Sequence, residues 1–205
     1  MKVGGIVLCG GQSKRMGQPK AWLPFAGERM LARVVRLLSE AVSPLVVVAA
    51  PDQEVPPLPQ QIAIVRDEEK GRGPLQGLTA GLAALEGLAD AAYLSSCDVP
   101  FLQPAFVRRL IDLLGNYVIC VPHVGDHHHP LAALYRLEVK PHVDRLLEEN
   151  RLRPFFLFEA APTRIVEAAE LADVDPAFQT LRNLNRPEDY EEALREIASS
   201  ARHDA

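Results

Sequence analysis

Short apolar runs recur along this chain, each separated from the next by a stretch whose apolar residues repeat at helical spacing. That alternation constrains the fold more than any other feature. Residues 3–8, 45–50, 62–65, 91–95 and 118–121 are rich in β-branched or other apolar side chains and are bounded by turn-forming residues, as in strands buried on both faces. Between them Leu31, Val34, Val35, Leu38 and Val42, then Leu75, Leu78, Leu82 and Leu85, then Phe106, Leu110, Ile111 and Leu114 fall at helical positions. Strands alternating with helices predict an α/β domain with a mostly parallel central sheet and helices on both faces. Residues 1–202 read as a single domain, residues 203–205 as a frayed tail, and residues 51–61, with four prolines, as a connection.

The first strand runs into Leu8-Cys9-Gly10-Gly11-Gln12-Ser13-Lys14-Arg15-Met16-Gly17, with Lys20 close behind. Glycines at a strand end allow unusual turns and let backbone amides approach an anion. Lys14, Arg15 and Lys20 place three positive charges beside that turn in a chain of net charge -5, so the local sign opposes the global one. The segment reads as a phosphate cradle for a nucleoside triphosphate, with a surface turn bearing solvated cations as the plainer alternative. Neither the P-loop nor the Gly-x-Gly-x-x-Gly fingerprint is present. Ligands of open parallel sheets bind outside the carboxyl ends of the strands, so this loop and Cys97-Asp98 should share one edge. Asp98 can hold Mg²⁺ there through a hard oxygen. Its other reading, a cap for a helix near Pro104, is weakened by the distance along the chain.

These residues resemble the opening signature of the nucleotidyltransferases and, within that superfamily, the molybdenum cofactor guanylyltransferases. Four further segments agree in order: Gly73-Pro74-Leu75-Gln76-Gly77-Leu78, Cys97-Asp98-Val99-Pro100-Phe101-Leu102, His129-Pro130-Leu131-Ala132-Ala133-Leu134-Tyr135 and Asn183-Leu184-Asn185-Arg186-Pro187-Glu188-Asp189. The resemblance implies a Rossmann-like nucleotidyltransferase fold and Mg²⁺-dependent transfer of GMP from GTP to molybdopterin or its molybdenum form, with release of pyrophosphate. It assigns Arg15, Lys20 and Asp98 to catalysis, and Leu8, Gly10, Gly11, Lys20, Asp67 and Asp98 to the nucleotide. It gives Asp98 and Asn185 to the metal, and His129, Asn183 and Asn185 to the acceptor substrate.

Read without the resemblance, Asp67 belongs to a solvated charge run, Arg66-Asp67-Glu68-Glu69-Lys70. Asn185, ahead of Pro187 and Glu188, reads equally as a helix cap with the glutamate at the third helical position. The pattern also departs from the family. Ala49-Ala50 stand where guanylyltransferases often carry an asparagine, Arg186 stands where threonine is common, and the Gly17-Gln18-Pro19-Lys20 spacing is shared with cytidylyltransferases. Cytidylyl transfer, sugar-phosphate nucleotidyl transfer and non-catalytic delivery of the cofactor by a nucleotide-binding protein remain alternatives.

A chain of 205 residues with 48% hydrophobic and 24% charged residues can bury an ordinary globular core. No apolar run of about 18 residues or signal-like leader is visible, which points to the cytoplasm with no membrane or nucleic-acid partner. The resemblance adds GTP and molybdopterin as partners, with molybdenum-insertion proteins and apo-molybdoenzymes downstream. Cys9, Cys97 and Cys120 are widely spaced and odd in number, so they read as reduced thiols, with Cys9 and Cys97 as small buried filler. The adjacent His127, His128 and His129 lack the spacing of a zinc site. Arg151 and Arg153 can meet a pterin phosphate, whereas Phe155 and Phe156 read more readily as core.

Overall fold

The computed structural model describes residues 1–10, 18–67 and 71–203, and in it each apolar run becomes a strand. In chain order the strands are β1 (Val3–Leu8), β2 (Pro24–Phe25), β3 (Glu28–Arg29), β4 (Leu45–Ala49), β5 (Ala63–Arg66), β6 (Ala91–Ser96), β7 (Ile119–Val124), β8 (His127–His128), β9 (Ala132–Arg136) and β10 (Thr163–Glu167). The helices are α1 (Met30–Ser39), α2 (Pro74–Ala84), α3 (Pro104–Leu113), α4 (Lys140–Glu148), α5 (Phe155–Ala160) and α6 (Pro187–His203). β2 and β3 form a separate two-stranded ribbon. The main sheet runs β10-β7-β9-β6-β1-β4-β5, with β8 pairing β7.

Most neighbours in the main sheet are parallel, as expected, but β9 is antiparallel to both β6 and β7. The reason is local. After β7 the chain turns at Gly125, whose φ of 63° suits glycine, and β8 folds back on β7. No crossover helix separates β7 from β9, and so short a return can only produce an antiparallel neighbour. The same hairpin carries β7 to Val124, beyond the expected end at residue 121.

Strand alternation sends Val3 and Val7 of β1 and Tyr93 of β6 to one face, where they pack with Leu31, Val34 and Leu38 of α1 and Phe106 and Leu110 of α3. Ile6 of β1, Val46 and Val48 of β4 and Leu94 of β6 face the other way, against Leu75, Leu78 and Leu82 of α2 and Val143 and Leu146 of α4. A Cβ at Gly81 would stand 2.6 Å from the Ile6 side chain and one at Gly77 would stand 2.8 Å from Leu8, so glycine lets α2 lie directly on β1. A third cluster joins Leu184 and Ala193 to Leu23, Phe25 and Met30, which fastens the C-terminal helix to the β2-β3 ribbon.

Candidate active site

The strand order reverses direction at β1, with β4 and β5 on one side and β6 on the other, and α/β sheets open a crevice at such a point. Leu8 pairs with Ser96 in register. Beyond the strands, the Cys97 amide donates to the Leu8 carbonyl at 3.0 Å and the Cys9 amide to the Val48 carbonyl at 2.8 Å. Gly10 and Asp98 therefore leave the sheet from adjacent strand ends.

Asp98 is only 7% exposed, and three side chains satisfy its carboxylate. Lys20 Nζ donates to Oδ2 at 2.5 Å, the Ser96 hydroxyl to Oδ1 at 2.5 Å and the Asn183 amide to Oδ1 at 2.8 Å. Asn183 also donates to Ser96 Oγ at 2.9 Å, and Lys20 Nζ donates to Asn185 Oδ1 at 2.7 Å. Asp98 thus belongs to this polar cluster and does not cap α3, which follows Gln103.

Local sequence explains how these groups are delivered. Pro19 leads a single helical turn, Lys20–Trp22, closed by the Trp22 amide on the Pro19 carbonyl at 3.0 Å, and the burial of Ala21 holds that turn against the body. At the other end of the chain, Leu184 donates its amide to the Asp98 carbonyl at 2.9 Å and buries its side chain with Leu23 and Phe25. With Leu184 facing inward, the asparagines on either side both reach the Lys20–Asp98 pair.

The capping role open to Asn185 falls elsewhere. The Asp189 carboxylate accepts the amides of Asn185 at 3.1 Å and Arg186 at 2.9 Å, and Asp189, not Glu188, occupies the third position of α6.

The donor set fits a hard cation. Asp98 Oδ2 and Asn185 Oδ1 already converge on one positive group, the Lys20 ammonium. Among the described residues no group of three or more His, Cys, Asp or Glu side chains is arranged for a metal. A divalent ion at Asp98 would therefore draw on neutral oxygens, water and substrate phosphates, which is the usual Mg²⁺ arrangement.

Other expected residues are spread along the same edge. Gly10 follows β1 and is exposed, and its φ is not left-handed, contrary to the expectation of a turn closed to other residues. Among the described residues an added Cβ would meet only Ala50 N, at 3.6 Å. Leu8 packs against Gly77. Asp67 lies just past β5, its amide bonded to the Ala49 carbonyl at 2.8 Å. Gly11 and Arg15 lie outside the described residues.

His129 precedes β9, with its amide on the Pro122 carbonyl at 2.9 Å, and shares no hydrogen bond with the Lys20–Asp98 cluster. Burial holds its imidazole below the ordinary range, and its Nε2 is buried without a partner among the described residues. Arg151 spreads over the Phe156 ring at 4.2 Å, while Phe155 is exposed, against its reading as core.

Residues 5–163 match the MobA-like NTP transferase domain. The probable molybdenum cofactor guanylyltransferase of Mycobacterium avium (strain 104) is 36% identical over 195 residues, covering 92% of this chain and 93% of the relative. The chain belongs to the MobA-like nucleotidyltransferases. Its fold is shared with molybdopterin-guanine dinucleotide biosynthesis protein A of Archaeoglobus fulgidus, at a TM-score of 0.78 and 22% identity over 98% of this chain and 100% of that one. A Mycobacterium tuberculosis protein solved in complex with manganese also shares it, at a TM-score of 0.60 and 21% identity over 95% and 99% of the two chains.

Two residues of this MobA-like transferase escaped the sequence reading. Ser96 ties Asn183 to Asp98. Gln53 bridges two strand ends, its Nε2 donating to the Cys9 carbonyl at 2.9 Å and its Oε1 accepting from the Ala50 amide at 3.2 Å. A serine two positions before the aspartate was the visible signal for the first. Gln53 lies inside the proline-rich connection and carried none.

Proposed function

We propose that this enzyme transfers GMP from GTP to a terminal phosphate of molybdopterin or its molybdenum-bearing form. An acceptor phosphate oxygen attacks the α-phosphorus, a new P–O bond forms, and the bond to the β-phosphate oxygen breaks to release pyrophosphate. The observation that carries this reading is the convergence of Lys20, Asp98, Asn183 and Asn185 at the strand ends where β1 and β6 meet. Lys20 meets the charge that develops on the departing pyrophosphate, with Arg15 beside it on the strength of family resemblance. Backbone groups of Leu8, Gly10 and Gly11 hold phosphate and base, and Asp67 accepts from the guanine N1–H and exocyclic amine. Asn183 and Asn185 orient the acceptor phosphate, with His129 farther along the edge. Asp98 and Asn185 are the groups that would hold Mg²⁺, which when bound supplies neutralisation of phosphate charge. No side-chain nucleophile is needed, because positioning and electrostatics carry the reaction.

The relatives' names support the substrate class. No described helix is long and apolar enough to cross a membrane, and we place the reaction in the cytoplasm, with molybdenum-insertion proteins and apo-molybdoenzymes taking the product. Pyrophosphate release with molybdopterin, Mg²⁺ and each of the four nucleoside triphosphates tests the reading. GTP is expected to exceed CTP at least about tenfold, equivalent to about 1.4 kcal/mol. A preference for CTP would move the chain to cytidylyl transfer, and nucleotide binding without pyrophosphate release would make it a delivery protein.

A further inference from the structure

Two thiols lie directly beneath the nucleotide edge. Cys9 and Cys97 follow the register pair Leu8–Ser96 on the parallel strands β1 and β6. Both side chains fall on the α1–α3 face of the sheet, within the same buried cluster. Neighbouring strands run about 4.8 Å apart, inside the Cα separation of about 4.4–6.8 Å that a disulfide spans. The Gln53 amide sits 3.2 Å from Cys9 Sγ. Both residues are reduced. Nothing in the proposed transfer uses either sulfur, although Cys97 is bonded directly to Asp98 and Cys9 to Gly10. Cys120, on β7, is separated from β6 by β9.

We infer that Cys9 and Cys97 form a redox site that a small hydroperoxide converts to a disulfide, and that this disulfide switches off the nucleotide edge above it. One sulfur attacks the peroxide, the O–O bond breaks, and a sulfenic acid results together with the alcohol of the hydroperoxide, or with water when the oxidant is hydrogen peroxide. The second sulfur then attacks the first, the S–O bond breaks, and the hydroxyl leaves with the second thiol's proton as water. The two thiols lose two electrons and the peroxide gains them; a dithiol reductant reverses the change. An S–S bond draws together two sulfurs that are now free thiols and reorients the backbone that carries Gly10 and Asp98. A displacement on the order of 1 Å in a transfer site costs about a hundredfold in rate.

The effect on turnover rests on the guanylyl reading, whereas the formation of the bond does not. The reduced protein is treated with hydrogen peroxide, remaining thiols are blocked, linked peptides are mapped by mass, and pyrophosphate release is followed before treatment, after it and after dithiothreitol. The expected result is a Cys9–Cys97 linked peptide with the loss of two hydrogens, a fall in turnover of at least about tenfold, consistent with displacement of the site, and recovery with dithiothreitol. Cys97→Ala and Cys9→Ala, checked by melting temperature, should each keep their own turnover under the same treatment, while Cys120→Ala should be inactivated like the parent. Thiols that stay unlinked, or a linked protein with unchanged turnover, overturn the inference. If the reduced protein releases no pyrophosphate with any nucleotide, the guanylyl reading fails, and the peptide map alone decides whether the redox pair exists.

Discussion

Lys20 and Asp98 are each other's counter-charge, with side chains 16% and 9% exposed, so neither is spread into solvent. A cation at a developing phosphate charge is worth orders of magnitude in rate, far more than such a pair contributes to stability. Lys20→Ala and Asp98→Asn should therefore each lower turnover by at least about a hundredfold, with a stability cost of about 1–3 kcal/mol from the partner left behind. Because the two act as a unit, the double variant should be little worse than the weaker single variant. Steady-state pyrophosphate release alongside thermal melts checks this. Near-normal rates with a collapsed melting temperature would show that the pair is structural. Both residues were legible because Asp98 follows β6 closely and Lys20 closes the glycine-rich motif that follows β1. Ser96 was not, because a small polar residue at a strand end gains meaning only when Asn183 arrives to share it.

Among the elements, α2 and β1 set the floor of the site, since Gly77 packs on Leu8 and Gly81 on Ile6. Replacing Gly81 with alanine brings two opposed effects. Helix propensity favours alanine by about 1 kcal/mol. Against that, the new methyl would stand 2.6 Å from the fully buried Ile6, and overpacking costs about 1–3 kcal/mol. Packing should win, so Gly81→Ala is expected to lower stability by up to about 2 kcal/mol, the difference of those terms, in a urea or thermal melt. A raised melting temperature would mean that α2 can lift off β1 without penalty. The helical periodicity of α2 was plain in the sequence, but its close approach was not, since glycine within a helix also reads as a mere weakening of it.

For the whole molecule, pH should erode stability in two windows. Burial holds His128 and His129 below the ordinary value of 6.5, so the unfolded chain takes up protons first on acidification. Their contribution is whole above 6.5 and is lost as pH falls below it. Glu28 is held below its ordinary 4.5, chiefly by its hydrogen bond from Arg36, so its contribution is present above that value and disappears as pH falls through the lowered one. The melting temperature should decline first below 6.5 and again below 4.5. His129→Gln should flatten the first decline and Glu28→Gln the second. Identical pH profiles for all three proteins would remove His129 and Glu28 as the cause.

Periodicity and turn chemistry by themselves determined β1, β4, β5, β6 and β7, the helices α1, α2 and α3, and the placement of Gly10 and Asp98 at one edge, because all of these are set by residues near one another in the chain. Only the tertiary structure decided that β9 runs against its neighbours and that the Asp189 carboxylate takes the amides of Asn185 and Arg186 ahead of α6. It alone brought Asn185 to Lys20 across 165 residues of sequence. Alternation tells a side chain which face to take, but the partner it meets there depends on strand order and helix docking, which no local pattern encodes.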